Sequence, residues 1–148
     1  MPSKLLTVAD AVLALLNSQA PHTFPLAFRA TRVPVRIVAL EELSNVDVAV
    51  VTGAGSCSTG SEADGVLDRD LEFSVEIRQR VDDVEDNTIV DPLVNLVEMM
   101  GDLLLTQGGS LVDGNAYCKH ASYAYDVVEL EQSSLFLGVL TLGFGVNQ

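Results

Sequence analysis

The sequence predicts an α+β fold: an antiparallel sheet with two main helices packed on one face. Three stretches carry this expectation. In residues 70–81, DLEFSVEIRQRV, Leu71, Phe73, Val75 and Ile77 alternate with Glu72, Ser74, Glu76 and Arg78. That period of two belongs to a strand buried on one side and wet on the other. Leu93, Leu96, Val97, Met100 and Leu104 recur at steps of three or four, which makes one apolar stripe on a helix. Leu5, Val8, Ala9, Val12, Leu13 and Leu16 do the same near the start of the chain.

The first helix spans residues 4–18, with Ser3 or Thr7 as its cap. Lys4 followed by LLTVADAVLALL has some features of a signal peptide. Asp10 interrupts the apolar run, however, and Pro21 would follow the cut after SQA. A mature amphipathic helix is the expectation. Pro21 and Pro25 punctuate the connector, and His22 within it reads as a surface residue. Residues 28–40, FRATRVPVRIVAL, read as a strand. Pro34 has no N–H for a ladder, so this strand lies at an edge or breaks there. Arg29, Arg32 and Arg36 are expected to pair with acids on neighbouring strands rather than to form a binding patch.

Residues 46–52, VDVAVVT, form a compact strand rich in β-branched side chains. The small, polar and glycine-rich run at 53–65, GAGSCSTGSEADG, is expected to be a mobile loop or hairpin tip. It lacks the lysine of a phosphate-binding loop, and no helix pattern follows it. No neighbouring base activates Cys57 as a nucleophile. A second mobile loop is expected at about 106–115, where Gly108-Gly109 and Asp113-Gly114 stand.

The second helix is expected to open at Asp91-Pro92, with Asp91 as cap and Pro92 at the first helical position. Asp82, Asp83, Glu85, Asp86 and Asp91 precede or open it. They lack the order of an EF-hand loop and read as a solvated acidic turn, where a helix N-terminus favours negative charge. Tyr123 and Tyr125 alternate as strand residues do. Cys118 and His120 make half a metal site at most, and no second pair is evident, so neither metal nor cofactor is expected. The closing strand, residues 135–146, LFLGVLTLGFGV, is apolar on both faces. Both are expected to be buried, in the core or against another chain. Leu135, Leu137 and Val139 are its candidate subunit-interface residues. Gly138, Gly143 and Gly145 mark a close backbone approach or a bulge.

With 148 residues, a single domain covering 1–148 is expected. The 21 acids against 8 bases give a net charge of −13. Such a chain repels nucleic-acid phosphate and anionic membrane surfaces. The longest apolar run is shorter than the roughly 20 residues of a bilayer span. Two cysteines outside any CxxC pair suggest a reduced compartment without a disulfide framework. No constellation of catalytic groups is present, so an enzyme is not expected.

Taken together, the chain resembles the tail terminator (tail completion) proteins of long-tailed bacteriophages. The resemblance rests on Ala11–Asn17 in the first helix and on ALEELSNVDVAVVT (Ala39–Thr52). It rests also on LEFSVEIRQRV (Leu71–Val81) before the acidic turn and helix, and on SLFLGVLTLGFGV (Ser134–Val146). It implies a structural virion protein of the tail and neck, assembled in the host cytoplasm. Such proteins form a six-fold ring that caps the tail tube and ends its polymerisation. The implied partners are further copies of the chain, the tail tube protein, a neck or connector protein and, in contractile tails, the sheath. DNA passes through the ring without specific binding. Glu72, Glu76, Asp82, Asp83, Glu85 and Asp86 are the candidate acidic residues of the lumen or outer surface. The alternative is another neck protein of the same virion, a head–tail connector, adaptor or stopper.

Overall fold

The computed structural model describes residues 3–19, 24–61, 67–107 and 116–147. The elements follow as α1 (Lys4–Gln19), β1 (Thr31–Val33), a 3-10 turn (Leu40–Glu42), β2 (Asp47–Ser61), β3 (Leu67–Arg80), α2 (Asn87–Gln107), β4 (Ala116–Tyr125), α3 (Val127–Ser133) and β5 (Leu135–Asn147). The five strands form one sheet in the order β1-β2-β3-β5-β4. β1 runs parallel to β2, and the other three pairings are antiparallel. The expected α+β fold is therefore present, with one short parallel edge strand added to an antiparallel sheet.

The core lies between one sheet face and the two long helices. Val8, Ala9, Val12 and Leu16 of α1 and Leu93, Leu96, Val97, Met100 and Leu104 of α2 are buried against Val48, Val50, Phe73, Val75, Ile77, Phe136, Leu140, Leu142 and Phe144. Both helical stripes and the β3 alternation thus lie where the sequence puts them. The Phe73 and Phe144 rings stack across β3 and β5, 5.6 Å apart with planes 3° from parallel. α2 comes close because Gly138 has no side chain. A Cβ there would lie 2.9 Å from Val97 Cγ2.

Asn17 at the end of α1 ties down the chain leading to β1. Its amide Nδ2 donates to the Ala30 carbonyl at 3.1 Å, and its Oδ1 accepts from the Ala30 N–H at 2.8 Å. This two-way bond satisfies a buried backbone residue before pairing to β2 begins. Two of the three arginines pair with acids, but only Arg36 with one on a neighbouring strand. Arg32 meets Asp10 of α1 at 2.6 Å, and Arg36 Nε donates to Asp47 at 2.8 Å. The strand expected over residues 28–40 shrinks to Thr31–Val33. Pro34 contributes only its carbonyl, which accepts from Gly53 N–H at 2.8 Å.

The stretch expected at 53–65 as a mobile loop or hairpin tip is, through Ser61, mostly strand, the outer part of the β2–β3 hairpin. β2 bulges between Val51 and Ser56, then Ser56–Ser61 pair with Leu67–Glu72. Backbone pairing with β3 holds these small polar residues in the ladder despite their low strand propensity. Residues 62–66 lie outside the described residues, as do 108–115 of the second expected loop. Thr106 and Gln107 belong to α2.

α2 begins a turn earlier than Asp91-Pro92. Asp86 is the capping side chain, accepting from Thr88 N–H at 2.9 Å and Thr88 Oγ1 at 2.6 Å. These bonds hold the Asp86 carboxyl below the usual carboxylate range. The cap contribution is therefore present above the ordinary carboxylate pKa and fades as acid protonates Asp86. Pro92 sits in the second turn of the helix rather than at its first position.

β5 is not a terminal edge but lies between β3 and β4. Its register with β3 is unbroken from Asp68↔Asn147 to Arg80↔Leu135. Its entry is shaped by α3, a single short helix capped by Asp126, whose Oδ1 accepts from Glu129 N–H at 3.0 Å. Ser134 closes α3 in the left-handed region, with φ 54°. Among the described residues no helix is long and apolar enough to cross a membrane.

Candidate functional site

The sheet face turned away from α1 and α2 is the candidate site. Strand pairing sets its rows. Asp47, Arg78 and Leu137 form one; Ala49, Glu76, Val139 and Ala124 the next; Val51, Ser74, Thr141 and Ser122 the third; and Ser56, Glu72, Gly143 and His120 the fourth. Along β5, Phe136, Leu140 and Leu142 are buried on the helix side, while Leu135, Leu137, Val139 and Thr141 are half-buried here. The closing strand is thus apolar on both faces, but only the helix face is fully covered.

The six candidate acids divide between two places. Glu72 and Glu76 lie on the open sheet face. Glu72 is exposed, and Glu76 is half-buried against Arg78 Nη2 at 2.6 Å. Asp82, Asp83, Glu85 and Asp86 lie in the turn from β3 to α2. Asp82 pairs with Arg80 at 3.3 Å, and Asp83 accepts from Glu85 N–H at 3.2 Å. That turn adjoins the start of β5, because Val81 N–H donates to the Ser134 carbonyl at 2.7 Å. The structure therefore gathers Glu72, Glu76, Leu137 and Val139 on one face and places the four turn acids at its end.

The β5 glycines create a groove on this face. A Cβ at Gly143 would lie 2.1 Å from His120 Cε1, and one at Gly145 would lie 2.5 Å from Tyr117 Cζ. Both rings fold across from directly paired positions of β4, each covering a glycine that has no side chain of its own. Beside them is a depression of about 250 Å³ that includes Ser56, Asp70, Glu72, Lys119 and His120. Lys119 forms an ion pair with Asp70. The face is therefore mixed in charge.

Cys118 and His120 do not converge. A register shift separates them. Cys118 packs against the core, while the His120 ring lies over Gly143 on the opposite face. Burial pushes the Cys118 thiol above its usual pKa, against a smaller opposing effect of its bond to the His120 carbonyl. Little thiolate forms at neutral pH. Cys57 is exposed and free. Among the described residues, no three His, Cys, Asp or Glu side chains gather as a metal site.

Two buried polar atoms are left without a hydrogen-bond partner among the described residues, Arg78 Nε on this face and Tyr125 Oη beside it. Burial, with Glu98 and Tyr123 nearby, pushes the Tyr125 pKa up to about 12. A raised acid pKa means stability is intact below the unfolded value, near pH 10, and is lost as pH rises through the folded value. Tyr125→Phe should remove that alkaline loss. It should also raise stability by about 1 kcal/mol at neutral pH, since an unpaired buried hydroxyl costs roughly 1–3 kcal/mol. Urea unfolding at neutral and alkaline pH measures both effects.

Sequence reasoning missed α3 and what it builds. Asp126-Val-Val-Glu129 carries the cap-and-three spacing of a helix start, and that signal was available. Val127 and Val128 of α3 are 59% and 58% exposed. With Ala124, Tyr125, Leu137 and Val139 they line a second depression, of about 400 Å³. Two of the three candidate interface residues therefore meet an apolar surface that the sequence did not disclose.

No family model and no curated protein matches the chain in sequence. A solved structure does match in fold: a chain in the virion of a native gene transfer agent (GTA) particle. The two share 13% identity at a TM-score of 0.62, over 99% of this chain and 100% of that one. The whole domain, sheet and helices together, is thus similar to a chain of a virion.

Proposed function

We propose that this chain is a structural virion protein of the tail-terminator type: a ring that caps the tail tube, ends its polymerisation and joins the tail to the neck. The observation that carries this reading is the end-to-end fold similarity to a chain of a gene transfer agent virion. The tail-terminator resemblance of Ala39–Thr52, Leu71–Val81 and Ser134–Val146 narrows it. Those three segments supply β2, β3 and β5, the middle of the sheet. The half-buried row of Leu135, Leu137 and Val139 supports assembly, because it is apolar surface that a neighbouring subunit can cover.

The proposed contact with DNA is passage, not binding. A chain with net charge −13 offers phosphate few cations, and counterion release has little to act on. Duplex DNA near physiological salt should show no micromolar binding in fluorescence anisotropy. Binding at that level would contradict a lumen that lets DNA slide. The capping role is tested by adding the protein to tail tube protein during polymerisation. Tubes should stop growing and remain short at increasing dose. Unchanged tube lengths, with attachment to the head-side connector instead, would assign the chain to the neck and end the terminator reading.

A further inference from the structure

Two apolar surfaces lie toward opposite edges of the sheet. The first follows β1. Arg36 turns back to Asp47, and on either side of it Val35 is 63% and Ile37 87% exposed. The second is the 400 Å³ depression between β4, α3 and β5, with Val127, Val128, Leu137 and Val139 in its lining. Neighbouring bare aliphatic side chains at both places are surface that a partner can cover.

Their charges are opposite. Residues 29–38, RATRVPVRIV, hold three of the chain's eight basic residues and no acid; Arg32 and Arg36 are paired with Asp10 and Asp47, which leaves Arg29 as the cation available to a partner. Residues 124–131, AYDVVELE, hold Asp126, Glu129 and Glu131 and no base. In a chain of net charge −13, two copies repel unless a basic patch of one meets an acidic patch of the other. β4 also pairs only with β5 among the described residues, so its outer edge presents backbone groups to which an extended segment can add.

We propose that residues 34–38 of one copy of this chain dock into the depression between β4, α3 and β5 of a second copy. Ile37 and Val35 enter against Val128, Leu137 and Val139, and Arg29 faces the acids of the α3 segment. The two patches differ, so the contact is head to tail and each copy both gives and receives it. Repetition closes into a ring when the rotation allows. The inference deepens the proposed ring and rests on it only for closure; the contact itself rests on these residues.

The test uses full-length protein with Cys57→Ser and Cys118→Ser, so that only introduced thiols react. Copies carrying Ile37→Cys are mixed with copies carrying Val128→Cys and oxidised mildly, alone and on tail tubes. The expected result is disulfide-linked pairs joining the two variants, at least tenfold above either variant by itself. A chain carrying both substitutions should give a ladder of linked copies. Ile37→Asp, at a position that is already exposed, should keep the circular dichroism spectrum and weaken association at least tenfold. Three outcomes would overturn the contact while leaving the ring standing, if wild-type protein still assembles: no linked pairs, pairs of Ile37→Cys with itself, or an Ile37→Asp protein that assembles normally. A wild-type protein that stays monomeric alone and on tubes would overturn both.

Discussion

Phe144→Ala should destabilise the domain by about 3–5 kcal/mol, the usual cost of emptying a buried phenylalanine site. Phe144 is 1% exposed and stacks on Phe73. It sits on β5, which is hydrogen-bonded to neighbours on both sides. The surroundings cannot close the void without moving strands that hold each other in register. A loss of this size is a large part of the roughly 5–15 kcal/mol that holds a domain together. Urea titration should show the midpoint falling steeply, and a loss below about 1 kcal/mol would mean that β5 is not packed as described.

The second large effect separates the two faces of the same strand. Val139→Asp, on the half-buried open face, should leave a folded protein that does not form the proposed ring. Leu137→Asp should do the same. Leu140→Asp, one residue on, should unfold the chain, because Leu140 is fully buried against the helices and an unpaired charge there has no water. Light scattering should report the first two as a fall in mass to a single chain with unchanged circular dichroism. If Val139→Asp unfolds as Leu140→Asp does, the row is core and not interface. If it assembles normally, the row is neither.

How much of this was legible in the sequence depended on how far each element's signal is local. The β3 alternation and the α1 and α2 stripes were readable, because burial on one face imposes a period that survives any arrangement of neighbours. The place of β5 was not. Apolarity on both faces fits a covered central strand and an assembly surface alike, and only the order β3-β5-β4 resolves its position. The arm from Ser56 to Ser61 was hidden because its Ser, Thr and Gly composition reads as loop, while its strand geometry comes from β3 across the hairpin. The start of α2 was displaced because Asp91-Pro92 is a good local opening, yet Asp86 caps the helix first.

The candidate site was half legible for a similar reason. Leu137 and Val139 stood out as apolar residues in a doubly apolar strand. The partners that make them a surface did not. Val127 and Val128 reach it through the turn that Asp126 caps, and Ile37 stands exposed beside Arg36, which bonds Asp47. Glu72 and Glu76 read as a strand's polar face and Asp82, Asp83, Glu85 and Asp86 as an acidic turn, but their partners were hidden. In the fold, Glu76 is joined to Arg78 and Asp82 to Arg80, while Asp86 is spent on the start of α2.

Electron microscopy of the purified protein, alone and mixed with tail tubes, tests the proposed tube-capping ring. A closed ring with a central opening is expected, free in solution or seated at one end of each tube. A protein that remains monomeric in both preparations, with every tube end bare, would contradict it.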